Sequence, residues 1–184
     1  NEMLVFFQTE KKILLRHGPY SKNFYREMLI YNNRVSTSAV AVKRKFLNKH
    51  KLRFNETKDY VIVEDYDFWL RIAFHGGIFH FINNALGEYI IENDNLTIDN
   101  IRHRKNQRIV QKKHVFDIQN FESNKHKLWN KIEVGLIFSE LGNSIYEKKI
   151  KDIFMNSIYL IKSPIFLVNH INAWILRKKY QKFG

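Results

Sequence analysis

Cysteine is absent from this chain, and proline and glycine are scarce, with two prolines and seven glycines among 184 residues. The lack of cysteine excludes disulfide scaffolds, thiolate nucleophiles and Cys-ligated zinc sites. Hydrophobic residues make up 45% of the chain and aromatic residues 15%, which excludes collagen-like and low-complexity chains and indicates a folded protein. No apolar run approaches the roughly 20 residues of a membrane-spanning helix, so we expect no transmembrane span.

Positive charge is unevenly distributed along the chain. The formal net charge is +13. Residues 1–100 contain 14 basic and 12 acidic side chains, a net of +2, whereas residues 101–184 contain 17 and 6, a net of +11. This shift predicts two regions: residues 1–99 as a nearly neutral domain, and residues 100–184 as a basic region that faces an anionic partner.

Hydrophobic patterning predicts both strands and helices in the first region. Val35–Val42 is rich in β-branched and small residues and has the composition of a buried strand. Two further strands are expected at Ile78–Ile82 and Gly87–Ile91, on either side of a turn. Short helices are expected at residues 23–30, 43–50 and 64–75. The first region therefore predicts an α/β or α+β fold.

The second region has the periodicity of helices throughout. Four helices are expected, at residues 100–121, 125–141, 146–162 and 164–181. Gly142-Asn143 is expected to end the second of them, and Pro164 suits the first turn of the last. Short connections favour an antiparallel helical bundle.

Two adjacent carboxylates, Glu64 and Asp65, open the helix that carries Phe68 and Trp69. A carboxylate at a helix N-terminus is stabilised in its ionised form, and it can accept a proton from a hydroxyl if its surroundings desolvate it. Acidic residues at this position more often cap the helix. The position of these acids alone therefore favours a capping role for Asp65 or Asp67 over the role of a catalytic base.

Four segments between residues 30 and 98 resemble motifs of family 2 glycosyltransferases in order and spacing. The segment EDYDFWLRIAFHGG, residues 64–77, is similar to the family pattern ED-Y-D-L-W-L-R-L-A-x-x-G. Val35–Val42 with Lys43-Arg44 resembles T-S-S-V-x-x-R-R, and Phe54 before Glu56 resembles F-x-E. Residues 78–82 and 86–97 resemble the family's closing segment F-x-x-I-x-x-x-L-x-x-Y-R-x-H-x-x-S-x-S.

The resemblance implies an inverting, nucleotide-sugar-dependent transferase with a GT-A architecture. It makes Asp65 the general base that deprotonates the acceptor hydroxyl, with Glu64 shaping the acceptor site. Trp69 and Arg71 are candidate acceptor-binding residues; a core position for Trp69 and a solvated position for Arg71 are the simpler alternatives. The fold expected for residues 1–99 is then the C-terminal half of a GT-A-like domain, an incomplete mixed sheet with helices.

The chain departs from the family pattern at two positions of the closing segment. Ile90 stands where the pattern has Arg, and Glu92 stands where it has His. Glu92 is a candidate ligand for Mn²⁺ or Mg²⁺, since these cations bind carboxylate oxygens. We find no Asp-x-Asp metal motif in the expected place, because Asp65-Tyr66-Asp67 belongs to the base segment. The chain therefore resembles the acceptor-side portion of an enzyme whose divalent metal and nucleotide-binding half lie elsewhere, and we expect no transfer by this portion alone.

Three interpretations of the basic C-terminal region remain open. Basic and aromatic residues alternate with aliphatic ones, as in helices that lie on anionic membrane surfaces. The candidate membrane-surface residues are Lys162, Trp174, Arg177, Lys178 and Lys179. A solvated helical cap is nearly as well supported. Nucleic-acid binding by residues 102–105 ranks last, since the chain shows no nucleic-acid module, and we expect no nucleic-acid partner.

Two hypotheses of different classes follow from the sequence. The first is the acceptor-side part of a glycosyltransferase for cell-surface polysaccharide or lipid-linked sugars, acting as a peripheral protein on the cytoplasmic face of the membrane. Its partners would be a nucleotide-sugar donor and a glycan or lipid-linked acceptor. The second is a non-catalytic basic helical protein that binds anionic membrane surfaces. The sequence predicts no oligomeric state for either.

Overall fold

A computed structural model describes residues 2–6, 11–17, 21–91 and 100–183, and these residues belong to two units. The first unit is Asn1–Gln119 and the second is Asn120–Phe183. The helix that begins at Asn100 belongs to the first unit, although the charge shift assigns it to the basic region. The domain identities expected for residues 1–99 and 100–184 stay predictions.

A small sheet in the first unit consists of strands β1 (Glu2–Phe6), β2 (Lys11–Leu15) and β3 (Glu88–Ile91). β1 lies in the centre, antiparallel to β2 and parallel to β3. An ion pair of 2.9 Å between Lys12 Nζ and Glu88 Oε1 joins the two outer strands. The strand expected at Gly87–Ile91 is confirmed as β3.

Helices α1 (Phe24–Tyr31), α2 (Arg44–Lys49) and α3 (Glu64–Phe74) confirm the three helices expected in the first region. α1 and α3 pack against each other and supply most of the buried apolar side chains of this unit. Acidic side chains in the first turn of α3 complement its dipole, and the helix ends before Gly76, whose φ of +80° suits glycine. Because α3 is packed on α1, the position of Glu64 and Asp65, its first two residues, is fixed as well.

The predicted fold class, an α/β or α+β fold with an incomplete GT-A-like mixed sheet, is wrong. The described residues are mostly helical, and their sheet is limited to the three short strands. Val35–Val42 is a loop with a single 3₁₀ turn at Thr37–Ala39, and Ile78–Ile82 forms no strand. β-branched composition describes how well a segment fits a pleated sheet, but a strand also needs a neighbour. In this loop a backbone group bonds to a nearby side chain instead of to a partner strand: the Val35 amide donates to Asn33 Oδ1 at 3.0 Å.

Helix α4 (Asn100–Lys113) continues through a π-helical turn at His114–Ile118 and completes the first unit. The second unit contains α5 (Lys125–Tyr146), α6 (Ile150–Ile161) and α7 (Pro164–Phe183). The helices expected in residues 100–184 are confirmed in the described part of the chain. The expectation that Gly142-Asn143 ends α5 is wrong, since the helix runs on to Tyr146. Neither residue adopts the αL conformation that would end a helix.

The core of the second unit lies where α6 and α7 pack on α5. Val134, Ile137 and Leu160 form its buried centre, and further side chains of all three helices surround it. Asn124 caps the N-terminus of α5: its Oδ1 accepts a hydrogen bond from the Lys127 amide at 2.9 Å. The Nε2–H of His170 on α7 donates to the Lys131 carbonyl of α5 at 2.7 Å. This bond fixes the approach of α7 to α5.

Gly135→Ala should destabilise the second unit. A Cβ at Gly135 would overlap with the His170 ring, so α7 would have to move away from α5 and the buried bond to Lys131 would weaken. We expect a loss of about 1–3 kcal/mol in the free energy of unfolding, as for other overpacked sites. Denaturant unfolding of the chain measures it.

Gly142→Ala is the matched control for this substitution. Gly142 lies in the same helix, and a Cβ there meets no atom within 4 Å. Alanine favours a helix over glycine by about 1 kcal/mol, so this variant should be slightly more stable than the parent chain. Equal effects of the two substitutions would contradict the close packing of α7 on Gly135.

Candidate functional site

Asp65, the second residue of α3, is held by two hydrogen bonds at the helix N-terminus. Thr37 Oγ1 donates to Asp65 Oδ2 at 3.0 Å, and the Tyr66 amide donates to Oδ1 at 2.6 Å. Burial raises the pKa of Asp65 above its ordinary value, and the bonds from Thr37 and Tyr66 offset part of that rise. Within the described residues Asp65 forms no ion pair with lysine or arginine. It is therefore a partly desolvated carboxylate, as a general base requires.

Glu64 lies beside Asp65 and brings a second carboxylate to the same place. Its negative charge contributes to the raised pKa of Asp65. Glu64 Oε2 is buried and accepts no hydrogen bond from the described residues. Buried polar atoms are nearly always hydrogen-bonded, so this oxygen lacks a partner that such an atom normally has.

His103 of α4 lies close enough to Asp65 for their charges to interact. Its positive form lowers the pKa of Asp65, although less than burial raises it. Burial lowers the pKa of His103, and the carboxylate of Asp65 opposes that effect. The sequence gives no signal for this pair, because the two residues are distant in the chain and His103 lies in a run of basic residues.

Trp69 is 2% exposed and forms part of the wall of a cavity of about 450 Å³. Its Nε1 is buried without a hydrogen-bond partner among the described residues. The other walls come from the loop at residues 40–43, from Phe46 and Ile72, and from residues 76–80. A second cavity of about 460 Å³ shares residues 40–41 and 79–80 with the first, and Ser36 and Ser38, the neighbours of Thr37, also line it.

Arg71 binds Asp67 rather than solvent. Its Nε donates to Asp67 Oδ2 at 2.7 Å, and its Nη2 donates to the Arg53 carbonyl at 2.6 Å. Asp67 is 3% exposed and also accepts a hydrogen bond from His114 Nε2 at 3.2 Å. This pairing gives Arg71 a structural role, and its acceptor-binding role stays a prediction.

His114 completes a buried chain of polar side chains behind α3. Since its Nε2 donates to Asp67, its Nδ1 accepts from the Tyr25 hydroxyl at 3.1 Å. Burial and the charge of Asp67 raise the pKa of Tyr25, which keeps that hydroxyl protonated as a donor. This series of hydrogen-bonded side chains links α1, α3 and the end of α4.

The buried face of α4 is polar, which sequence reasoning missed. Asn106, Gln107 and Gln111 are buried on it, and His114 of the π-helical turn follows three positions after Gln111 and is buried as well. Gln111 Nε2 donates to the Leu29 carbonyl and to Asn32 Oδ1, both at 3.1 Å, and Asn106 Nδ2 donates to the Val61 carbonyl at 2.9 Å. The helical spacing of these amide side chains was a signal, but the surrounding lysines and arginines favoured a solvated helix.

The predicted metal ligand Glu92 lies outside the described residues. Among the residues described, no group of three or more His, Asp or Glu side chains could hold a metal ion. The described residues therefore do not fit the divalent cation that the resemblance implies.

The candidate membrane-surface residues all lie in the second unit. Lys162 follows α6, and Trp174, Arg177, Lys178 and Lys179 belong to α7. Trp174, Lys162, Lys178 and Lys179 are exposed, whereas Arg177 is partly buried. In the described part of the chain, no helix combines the length and the hydrophobicity needed to cross a membrane.

Comparison with known proteins found no match for this chain among family models, curated proteins or solved structures.

Proposed function

We propose that this chain is the acceptor-side part of an inverting glycosyltransferase that uses a nucleotide-sugar donor. The motifs around Glu64-Asp65 motivate the reaction class. The observation that carries the proposal is the state of Asp65: burial raises its pKa, and a hydrogen bond from Thr37 holds its carboxylate in place. The proposal concerns the reaction and not a sheet architecture.

Asp65 acts as the general base in this reaction. The acceptor hydroxyl oxygen attacks the anomeric carbon of the donor sugar and forms the new carbon–oxygen bond, while its proton passes to Asp65. The bond between the anomeric carbon and the donor phosphate oxygen breaks, and the nucleotide leaves with the bonding electron pair. A carboxylate with a raised pKa is a stronger base than an ordinary aspartate, which favours the proton transfer.

Glu64 and Trp69 contribute to acceptor binding in this proposal. Glu64, whose buried Oε2 has no hydrogen-bond partner among the described residues, shapes the acceptor site beside Asp65. Trp69 supports the wall of a cavity lined mainly by apolar residues, with Lys43 and His80 as its charged or polar side chains, and the apolar part suits the apolar face of a sugar ring. The acceptor is a glycan or a lipid-linked sugar, made for the cell surface at the cytoplasmic face of the membrane.

The nucleotide-sugar and its divalent metal, Mn²⁺ or Mg²⁺, are assigned to a nucleotide-binding portion outside the described residues. When bound, such a cation would neutralise the charge on the leaving phosphate. No step described for this chain passes through the metal, since the described residues offer no group to hold it.

The pH dependence of transfer tests the proposal. Asp65 must be ionised to act, so kcat/KM of the complete enzyme should fall as the pH drops through its raised pKa. Thr37→Val removes a hydrogen bond that favours the ionised form, so the acidic limb of the profile should move to higher pH. Transfer assays across a pH series measure both effects.

Thr57→Val is the control for Thr37→Val. The Thr57 hydroxyl donates to Asn55 and is exposed, so its loss should leave the acidic limb in place. If Thr37→Val left the acidic limb of the pH profile where it is in the parent enzyme, Asp65 would not be the base.

A further inference from the structure

The second unit exposes large apolar side chains along α6 and the first half of α7. On α6 and in the first half of α7 the exposed set comprises Ile150, Phe154, Met155, Ile158, Ile161, Ile165 and Val168, and Trp174, Ile175 and Leu176 are exposed later in α7. Ile161 is 73% exposed and Ile165 74%, so about three quarters of each residue's surface is in contact with solvent. Exposed apolar surface of this extent marks an interaction site.

The exposed apolar residues of α6 form one stripe along the helix. Ile150, Phe154, Ile158 and Ile161 follow each other at spacings of four, four and three residues, which places them on one face. Leu160 lies on another face and packs in the core with Val134 and Ile137 of α5. α6 is therefore apolar on both sides, and only one side is covered within the described residues.

The stripe continues across the turn into α7. Ser163 alone separates the Lys162 cap of α6 from Pro164, and Ile165 and Val168 extend the exposed apolar surface. Phe166 and Leu167 of the same helix pack on the core instead. The surface thus spans two helices that are fixed on α5.

The charge around this surface is almost entirely positive. Residues 150–183 contain six basic side chains and one acidic side chain, Asp152. Lys162 lies between Ile161 and Ile165, and Lys178 and Lys179 are exposed near the end of α7. Apolar side chains bordered by lysines match the headgroup region of an anionic bilayer, where both kinds of group are satisfied.

We propose that this face, residues 150–168 of α6 and α7, docks on an anionic lipid bilayer and inserts its apolar side chains below the headgroups. The candidate membrane-surface residues identified from the sequence are Lys162, Trp174, Arg177, Lys178 and Lys179. The exposure pattern adds the apolar side chains that insert: those of α6 and the start of α7 are exposed, as are Trp174, Ile175 and Leu176 later in α7, and the lysines are headgroup contacts. The inference goes beyond sugar transfer and does not depend on it.

Vesicle binding by the purified chain tests the inference, with Ile165→Ser as the main variant and Ile101→Ser as its control. Both isoleucines are 74% exposed, but Ile101 lies in the first unit. Co-sedimentation with phosphatidylcholine vesicles containing phosphatidylglycerol should weaken about tenfold for Ile165→Ser, by loss of apolar burial. Ile101→Ser should bind like the parent chain. Equal binding by the two variants would overturn the proposal.

The basic residues provide a second, independent measurement. Each of Lys162→Gln, Lys178→Gln and Lys179→Gln should lower the partition coefficient about fivefold, which corresponds to about 1 kcal/mol per lysine. Vesicles of phosphatidylcholine alone should bind the parent chain much less. Equal binding to both kinds of vesicle would contradict an anionic surface as the partner.

Two other occupants of the face are distinguished by the same variants. If the face joined two copies of the chain, sedimentation velocity would show a dimer that Ile165→Ser dissociates, with no vesicle binding by either protein. If the basic residues served a nucleic acid, RNA would bind the chain and the lysine variants would weaken it, while vesicles would not bind. Either result would overturn bilayer docking.

Discussion

Asp65→Asn should lower glycosyl transfer by the complete enzyme by about 10²- to 10⁴-fold, the range expected when a general base is lost. The amide cannot accept a proton from the acceptor hydroxyl. Its carbonyl oxygen can still accept the hydrogen bond that Thr37 Oγ1 donates at 3.0 Å, so the loop and α3 should stay together. The measurement is kcat/KM for transfer, with circular dichroism and thermal unfolding as checks on the fold.

Asp59→Asn is the matched control, since it makes the same chemical change at an exposed aspartate before α3. It should retain the full rate of transfer. A folded Asp65→Asn protein that transfers sugar at a rate close to that of Asp59→Asn would exclude Asp65 as the base. The glycosyltransferase proposal would then lose the residue on which it depends.

Asp67→Ala should be among the most destabilising single substitutions in the first unit. Asp67 is 3% exposed and accepts hydrogen bonds from Arg71 at 2.7 Å and from His114 at 3.2 Å. Removing one partner of a buried ion pair leaves the other charge uncompensated, which costs about 3–5 kcal/mol. The linked hydrogen bond between His114 and Tyr25 would also lose its support. Denaturant unfolding of the chain measures the loss.

The Lys113–Asp117 pair provides the comparison for Asp67→Ala. It is also an ion pair four residues apart, at 2.9 Å, but both side chains are about half exposed. Asp117→Ala should cost much less than Asp67→Ala, because water screens exposed pairs. If the two substitutions cost the same, Asp67 would contribute no more than a surface charge, and the buried chain from Tyr25 to Arg71 would not stabilise α3.

Helix positions followed from local sequence in most of the described chain. The acidic first turn and the glycines after the last turn placed α3 at Glu64–Phe74, and Pro164 placed the start of α7. The strand predicted at Val35–Val42 is wrong because β-branched residues favour an extended chain but do not supply a partner strand. Pairing is a long-range property, and local composition does not contain it.

The candidate site was only partly accessible from sequence. The motif identified Glu64 and Asp65, and the structure places both at the N-terminus of α3. The sequence offered no reason to connect Asp65 with Thr37 or His103, which other segments bring to it. It also assigned α4 to the basic C-terminal region, because the buried amides of Gln107 and Gln111 look like surface residues until the helix docks.

The sequence by itself determined the positive charge of the C-terminal region, the periodicity of its helices and the pair of adjacent carboxylates, since these are properties of residues and their neighbours. Only the tertiary structure decided which groups surround Asp65 and that burial raises its pKa. It also decided that Arg71 is bound to Asp67, and that the apolar stripe of α6 is exposed. The physical reason is that desolvation and ion pairing depend on contacts between segments distant in the chain, and those contacts form only when the helices pack.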